Sequence, residues 1–251
     1  MRRLFCLLLL LSGFAHAAEP LKLTLAEYPP FIGDQLPGQG LLTTAVRAVF
    51  ERAGYQVLLL PTPNNRAIES ARQGEVDGSL GWARSPERER DLYYSAPVMN
   101  LRMVFCQRRG TSHPWQRLLD LAPYRIGVTL GNFYSDEFAA LSRAHRLQVD
   151  AAPSDVANLR KLAAGRIDLF PIDAEVGAYL MQRYLDPVQR ERLVCPNKAY
   201  WTAPLHVVIS RRHPDGPTII ADFNRTLDGM QRSGEFAQLI DTTRKWIAGN
   251  Y

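Results

Sequence analysis

The order in which strand-like and helix-like segments alternate is the feature that most restricts the fold of this chain. Two strand-helix-strand-helix-strand series occupy residues 21–82 and 124–173. Because neighbouring parallel strands need a crossover connection, usually a helix, both series predict parallel sheets with helices on their faces. The predicted strands are 21–28, 55–61, 76–82, 124–131, 147–152, 166–173 and 204–212, and the predicted helices are 41–54, 65–74, 135–143, 154–165, 174–185 and most of 217–246.

The first 17 residues, MRRLFCLLLLLSGFAHA, have the layout of a secretory signal peptide. Arg2 and Arg3 precede an apolar run, and Ala15 and Ala17 precede the predicted cleavage site. The apolar run is too short to span a bilayer, so we expect a soluble exported protein. Cleavage removes two arginines and lowers the net charge from +5 to +3. The remaining arginines are scattered and not interleaved with aromatic residues, which argues against nucleic acid as a partner.

Two cysteines, Cys106 and Cys195, follow the predicted cleavage site. In an oxidising compartment they can form a disulfide, and two buried free thiols are the alternative. The histidines do not occur at metal-ligand spacing, and there is no paired-cysteine motif or nucleophile elbow. The glycine pair at Gly38–Gly40 lacks the third glycine of a dinucleotide-binding motif. The sequence therefore predicts neither a metal nor a cofactor.

Single polar and aromatic residues stand where the predicted parallel strands end: Tyr28, Trp82, Gly131–Asn132 and Asp173. Open α/β sheets bind ligands at this edge because helix N-termini and unpaired backbone N–H groups converge there. Arg88 follows the third strand in the run SPERERDLYYSAP. Its planar guanidinium can hold a carboxylate through two parallel hydrogen bonds. We therefore predict that this edge binds a small carboxylate.

Five pieces of the chain, in order, resemble the family 3 periplasmic solute-binding proteins, the amino-acid-binding type that supplies ABC importers. They are YPPF at 28–31, GEVDG at 74–78, SPER at 85–88 followed by YSAP at 94–97, GVTLGN at 127–132 and GRIDxxxxD at 165–173. The resemblance extends from about Leu21 to Trp246. It implies an α/β, two-lobed type II (Venus-flytrap) fold, with a mostly parallel sheet flanked by helices in each lobe and two hinge crossovers. The expected lobes are residues 18–103 with 207–251, and residues 104–206.

The resemblance also implies roles for individual residues. In the family, the arginine matching Arg88 binds the ligand's α-carboxylate, and a carboxylate matching Asp173 binds its ammonium group. Aromatic residues matching Tyr28 and Phe31 pack on the apolar part of the ligand. The helix N-terminus expected at Asn132–Phe133 and the backbone near Gly81 add donors. The implied ligand site is Arg88, Asp173, Tyr28, Phe31, Gly81, Trp82, Ala83, Asn132 and Phe133, with Arg84 and Arg66 as further candidates.

The chain departs from the family pattern in several places. Ala83 stands where many amino-acid binders have a hydroxyl residue, and Ser85 replaces the usual threonine. Asn132–Phe133 replaces a pair of small hydroxyl residues, and Pro63–Ala67 resembles a divergent branch of the family. These departures leave the identity of the ligand open.

Several implied site residues also have a purely structural interpretation, and Tyr28 and Phe31 can simply be core or loop aromatic residues. Arg84 and Arg88 can form an exposed ion-pair face with the neighbouring glutamates, which contributes only about 0–1 kcal/mol. Asp173 can be the N-cap of the following helix, and this role is compatible with ligand contact. Trp82 can be a ligand platform or can pack between sheet and helix. His206 on the late strand is interpreted as a sheet residue.

Two functions follow from the resemblance. The first is a monomeric, periplasmic, non-enzymatic protein that closes around an amino acid or organic acid and is then recognised by an ABC permease or a membrane sensor. The alternative is a periplasmic dehydratase of the same fold that acts on prephenate or arogenate. Both would use Arg88, but only the enzyme needs a general acid, for which Asp173 is the candidate.

Overall fold

The computed structural model describes residues 19–130 and 132–249, so the predicted signal peptide lies outside the described residues. The described part contains ten strands and eight α-helices. The strands are β1 (Leu21–Leu25), β2 (Val57–Pro61), β3 (Gly78–Trp82), β4 (Leu92–Tyr94), β5 (Met99–Arg108), β6 (Arg125–Thr129), β7 (Gln148–Ala152), β8 (Leu169–Asp173), β9 (Leu193–Val194) and β10 (Ala199–Ser210). The helices are α1 (Leu41–Arg52), α2 (Asn64–Gln73), α3 (Asp136–Arg143), α4 (Asp155–Ala163), α5 (Ala174–Tyr184), α6 (Pro187–Glu191), α7 (Gly216–Ser233) and α8 (Glu235–Gly249).

These strands form one mixed sheet in the order β2-β1-β3-β10-β5-β8-β6-β7, with β4 beside β10 and β9 beside β5. β1 pairs in parallel with β2 and β3, and β6 pairs in parallel with β7 and β8. The two predicted series therefore form the two parallel parts of the sheet. β5 and β10 run antiparallel to their partners in the middle. β5 was not predicted, and β10 begins before its predicted start at Pro204.

Two chain segments connect the parallel parts and divide the molecule into two α/β lobes. β10 pairs with β5 over its first half and with β3 over its second half, and its register shifts between His206 and Val207. The other segment runs from β4 through Ser95 into β5. The two crossovers contact each other, because His206 Nδ1 lies 2.7 Å from the Ser95 carbonyl oxygen and the Val207 N–H donates to Ser95 Oγ.

Helices cover the sheet in both lobes. In lobe 1, α1 packs against α7 and α8, and the rings of Phe50 and Phe223 lie 4.7 Å apart in its core. In lobe 2, α4 packs on β6 and β8, and α5 packs on β5. Of the two alternatives for the cysteines, the structure has a disulfide, which joins Cys106 in β5 to Cys195 after β9. Every helix in residues 19–130 and 132–249 is too short or too polar to span a lipid bilayer.

The lobes also meet beside the crossovers, where α8 of lobe 1 faces α5 of lobe 2. Arg244 Nη2 and Nε lie 2.8 and 3.1 Å from Glu175 Oε1, and Nε lies 3.2 Å from Oε2. A cavity of about 210 Å³ adjoins this ion pair and is lined by Pro30, Leu41 and Tyr179. The ion pair therefore links the two lobes at a point other than the strand crossovers.

Asp168 ties the segment before β8 to β6, and it gives lobe 2 a pH-dependent contact. Its carboxylate accepts hydrogen bonds from Arg125 Nε, Nη2 and backbone N–H, each at 3.0 Å. The side-chain bonds from Arg125 are the largest cause that holds the pKa of Asp168 well below its usual range. Because the pKa is lower in the folded state, the stabilisation is present above about pH 4 and is lost as the pH falls.

We therefore expect Asp168→Asn to cost about 1 kcal/mol of stability at pH 7. In a domain of this size, that loss lowers the melting temperature by about 2–4 °C. The difference from wild type should shrink as the pH falls from about 5 towards 2, because the wild-type carboxylate is then protonated in the unfolded chain. Thermal unfolding of both proteins at several pH values in this range measures the difference in melting temperature. Asp228→Asn on the exposed face of α7 is the control, and a difference that stayed constant with pH would contradict a charge effect.

Candidate ligand-binding site

Tyr28 of lobe 1 and two carboxylates of lobe 2 stand at carboxyl ends of parallel strands and interact electrostatically. Tyr28 follows β1 in lobe 1, and Asp173 ends β8 in lobe 2. Burial raises the pKa of Tyr28, and the negative charges of Asp173 and then Asp155 raise it further. Both carboxylates belong to lobe 2, so a side chain of lobe 1 lies within the electrostatic reach of two acids of the other lobe. The structure thus brings the strand ends of the two lobes close together.

Tyr28 and Phe31 stack on each other, with ring centroids 5.6 Å apart and planes inclined by 17°. The Pro29–Pro30 peptide bond between them is cis. Tyr28 is 39% exposed, whereas Phe31 is only 1% exposed. Phe31 instead lines a cavity of about 400 Å³ that also contacts Asp173. The structure therefore brings both predicted aromatic residues together, and of the two only Tyr28 is exposed to solvent.

Trp82, Ala83 and Arg88 form one contact group at the end of β3. The Arg88 guanidinium carbon lies 5.2 Å from the centre of the Trp82 ring, and Arg88 Nη1 donates to the Ala83 carbonyl oxygen at 3.1 Å. Trp82 is held in turn by its Nε1–H, which donates to Ser79 Oγ at 2.7 Å. Gly81 has a φ of +88°, a conformation that favours glycine. The backbone turn and the indole ring together fix the position of Arg88.

The charged residues in the turn that follows β3, residues 84–90, have different partners. Arg84 Nη1 lies 2.9 Å from Glu89, and Glu87 lies 3.2 Å from Arg72. Among the described residues, no carboxylate oxygen lies within 4.0 Å of the Arg88 guanidinium. The exposed ion-pair face that was the alternative interpretation is therefore formed by Arg84 and not by Arg88. The remaining candidate, Arg66, is exposed in the first turn of α2, at the carboxyl end of β2.

Asp173 is 2% exposed and caps α5, as its alternative interpretation predicted. Its Oδ1 accepts hydrogen bonds from the N–H groups of Glu175 and Val176 at 2.9 and 3.1 Å. Its Oδ2 accepts from the Arg102 N–H at 2.7 Å. Burial, the largest cause, raises the pKa of Asp173, while the backbone hydrogen bonds act in the opposite direction. Both oxygens therefore already have backbone partners.

Asn132 and Phe133 lie in the loop between β6 and α3, and Gly131 before them lies outside the described residues. The helix predicted over 135–143 has Ser135 as its N-cap, whose Oγ accepts from the Phe138 N–H, so Asn132 and Phe133 precede the helix N-terminus. The expected helical donors are therefore displaced to the capped turn at Ser135. Phe133 is 56% exposed, with its ring 5.7 Å from that of Trp201.

Asp155, the first residue of α4, is not among the site residues predicted from the sequence. Asp155 Oδ1 accepts hydrogen bonds from Asn132 Nδ2 at 3.1 Å and from Thr129 Oγ1 at 2.5 Å. It follows the carboxyl end of β7, so the rule that selected Asp173 applies to it as well. Burial is the largest cause that raises the pKa of Asp155.

Two α/β lobes joined by strand crossovers define a two-lobed protein of the periplasmic-binding fold class. The family model of the bacterial extracellular solute-binding proteins, family 3, matches residues 23–248. The chain belongs to this family, and its function is to bind a solute. A search of curated proteins finds no match.

Several solved structures share the fold. A domain assigned as the second substrate-binding domain of an amino acid ABC transporter from Streptococcus pneumoniae has a TM-score of 0.70 at 16% identity, covering 91% of this chain and 100% of that one. A histidine kinase sensor domain similar to periplasmic binding proteins has a TM-score of 0.65 at 20% sequence identity. The match covers 91% of this chain and 96% of that domain. The GluR0 ligand-binding core from Nostoc punctiforme, in complex with L-glutamate, has a TM-score of 0.64 at 18% sequence identity. The match covers 91% of this chain and 100% of that one.

Proposed function

We propose that the protein binds an amino acid or a related organic acid between its lobes and that Arg88 holds the ligand's carboxylate. The observation that carries this proposal is the guanidinium of Arg88, which is positioned by Trp82 and Ala83 but has no carboxylate partner among the described residues. A guanidinium has five N–H donors, and the bond to Ala83 uses one of them. The others can bind a carboxylate through two parallel hydrogen bonds.

The two lobes act together in this proposal. Lobe 1 supplies Arg88 and the exposed Tyr28, and lobe 2 supplies polar groups at the ends of β6 and β8. A ligand that contacts both lobes favours the closed form by the difference between its affinities for the closed and open forms. We propose that the lobes comprise residues 18–103 with 207–251, and residues 104–206.

We further propose that the protein does not catalyse a reaction. The dehydratase alternative requires Asp173 to donate a proton. Both of its oxygens accept backbone hydrogen bonds, an arrangement that suits the ionised, acceptor-only carboxylate and restrains it at the N-terminus of α5. These contacts support a structural role for Asp173, whereas the raised pKa is the one property of this carboxyl that the dehydratase alternative would need.

We propose that residues 1–17 direct export to the periplasm and that the mature protein is a monomer recognised by an ABC permease or a membrane sensor. The family consists of extracellular solute-binding proteins. The similar structures include a transporter domain and a histidine kinase sensor domain, so the fold is compatible with either partner.

The proposal is tested by titrating the mature protein, purified from the periplasm after expression of the full chain, with the common amino acids and their 2-oxo and 2-hydroxy acid counterparts. We expect one-to-one binding of at least one compound by calorimetry. At a ligand concentration about 100 times Kd, binding should stabilise the protein by about 2.7 kcal/mol and raise its melting temperature by several degrees.

A complete lack of binding across this panel would contradict the proposed function. Incubation with prephenate tests the enzymatic alternative separately. We expect no aromatic product, and turnover that depended on Arg88 would replace the binding proposal with the dehydratase.

A further inference from the structure

We propose that the ion pair between Arg244 of α8 and Glu175 of α5 favours the closed arrangement of the lobes and thereby raises the affinity for the ligand. This inference rests on the proposed function and extends it to two residues outside the predicted ligand site. It assigns both residues to the closing movement, so that they set the strength of binding but not the choice of ligand.

The first observation is that the pair is well formed and joins different lobes. Arg244 Nη2 and Nε lie 2.8 and 3.1 Å from Glu175 Oε1, and Nε lies 3.2 Å from Oε2. Two nitrogens of the planar guanidinium thus contact one carboxylate, an arrangement that is stronger than a single contact. A hinge movement that separates α8 from α5 must break all three contacts.

The second observation is the position of the pair relative to the predicted ligand residues. Glu175 and Arg244 both line the cavity of about 400 Å³ that also contacts Phe31 of lobe 1 and Asp173 of lobe 2. Asp173 ends β8, and Glu175 is in the first turn of the helix that follows it. The pair therefore lies on the side of the lobes where parallel strands end. A contact on this side forms when the lobes close on a ligand and is lost when they open.

The third observation is that each partner is held in place by its own lobe. Arg244 Nη1 lies 2.7 Å from Asp241 Oδ1, one turn earlier in α8. The Glu175 N–H donates to Asp173 Oδ1 at 2.9 Å, which anchors the start of α5. Because each of these contacts lies within one lobe, both persist when the lobes separate. The two charges are therefore oriented before they meet, which reduces the entropy lost when the pair forms.

The fourth observation is a second cavity that the pair also lines. It has a volume of about 210 Å³, and its other walls include Pro30, Leu41 and Ile247 of lobe 1 and Ala178 and Tyr179 of lobe 2. A void between the lobes lacks the packing contacts that would otherwise attract one lobe to the other. The ion pair therefore carries a larger share of the attraction between the lobes at this place.

The exposure of the pair limits the size of its effect. The side chains of Arg244 and Glu175 are 42% and 32% exposed, so water weakens their attraction. The contact through two guanidinium nitrogens places the pair in the favourable part of the range for exposed pairs, so we expect it to raise the closing equilibrium about three- to fivefold. Because the closed form holds the ligand, the affinity should change by the same factor.

The test compares the dissociation constants of wild type, Glu175→Gln, Arg244→Gln and the double variant, measured by calorimetry with each compound of the panel that binds. We expect each single variant to lose affinity by about three- to fivefold, and by the same factor for every ligand. The double variant should lose no more than the single variants, because the two residues act as a pair. Glu235→Gln is the matched control, since Glu235 pairs with Arg52 and joins α8 to α1 within lobe 1. It should leave the affinity unchanged.

Stopped-flow measurement of tryptophan fluorescence separates capture of the ligand from its release. A ligand enters when the lobes are apart, and the pair forms only when they close. Breaking the pair should therefore raise the dissociation rate three- to fivefold and leave the association rate nearly unchanged, the common pattern for changes that affect a bound complex.

Unchanged affinity in both single variants would overturn the inference and leave the proposed function intact. A loss confined to particular ligands would show that the pair contacts the ligand directly, and a loss carried by the association rate would show that it acts on the open form. Either result would also overturn the inference. Arg244→Gln keeps the test valid if Glu175→Gln does not fold. Failure of every compound to bind wild type would overturn both the inference and the proposed function.

Discussion

Replacing Arg88 with alanine is expected to lower the affinity for the carboxylate ligand by about 100-fold or more, the largest effect on binding of any substitution in the cleft. Arg88 is the one arginine of its turn that is held in place and yet has no acidic partner in the described residues. Its removal would leave a desolvated ligand carboxylate without its two hydrogen bonds. The stability of the unliganded protein should change little, since Arg88 forms no ion pair with any described residue.

Replacing Arg88 with lysine tests the planar donor geometry of the guanidinium separately from its positive charge. Arg88→Lys keeps the positive charge but lacks the planar pair of donors and the flat face that lies over Trp82, so we expect it to recover only a small part of the affinity. Arg90→Ala is the matched control because Arg90 lies exposed in the same turn. Calorimetric titration of all three variants with the same ligand measures the effect. Equal affinities for Arg88→Ala and Arg90→Ala would place the carboxylate site elsewhere.

The parallel parts of the fold could be predicted because local patterns determine them. Apolar spacing marks α1 and α4, glycines end the predicted helices near Gly54 and Gly165, and Ser154 and Asp173 are observed as N-caps. The sequential order of strands and helices then leaves few possible topologies. Most helix and strand boundaries in the described chain differ from the predicted ones by only a few residues, which reflects fraying and capping at the ends.

The middle of the sheet could not be predicted in the same way. β5 and the first half of β10 acquire their partners across long sequence separations, and β10 exchanges one partner for another near His206. Local periodicity carries no information about such a change of partner. The strands that join the lobes are therefore identified by the structure, although a resemblance to a two-lobed family implied that they existed.

The candidate site shows a similar limit. The rule about strand ends places Tyr28, Trp82 and Asp173 at one edge, but it does not say which polar atoms other protein groups already occupy. Arg84 and Arg88 look equivalent in sequence, and only their observed contacts separate an ion-paired arginine from an available one. The same applies to Asp155, which accepts from the side chains of Thr129 and Asn132, and to Asp173, which accepts from backbone N–H groups.

Removal of the Cys106–Cys195 disulfide is expected to produce the largest loss of stability. The bond joins residues separated by 89 positions, and it closes a loop that contains most of lobe 2. The chain-entropy model assigns about 4–5 kcal/mol to a loop of this length, because the crosslink removes conformations from the unfolded chain. Cys106→Ala with Cys195→Ala should therefore lower the free energy of unfolding by about that amount, a large fraction of the 5–15 kcal/mol typical of a native protein.

Urea unfolding of the mature protein, with and without a reducing agent, measures this loss. Reduced wild type should match the double variant, and the reducing agent should not change the double variant further. Ligand affinity should persist in the double variant under native conditions, because the folded state is retained there and neither cysteine is among the proposed ligand-binding residues. If the double variant were as stable as oxidised wild type, the stability of lobe 2 would come from its hydrophobic core around Phe170 and Leu159 and not from the crosslink.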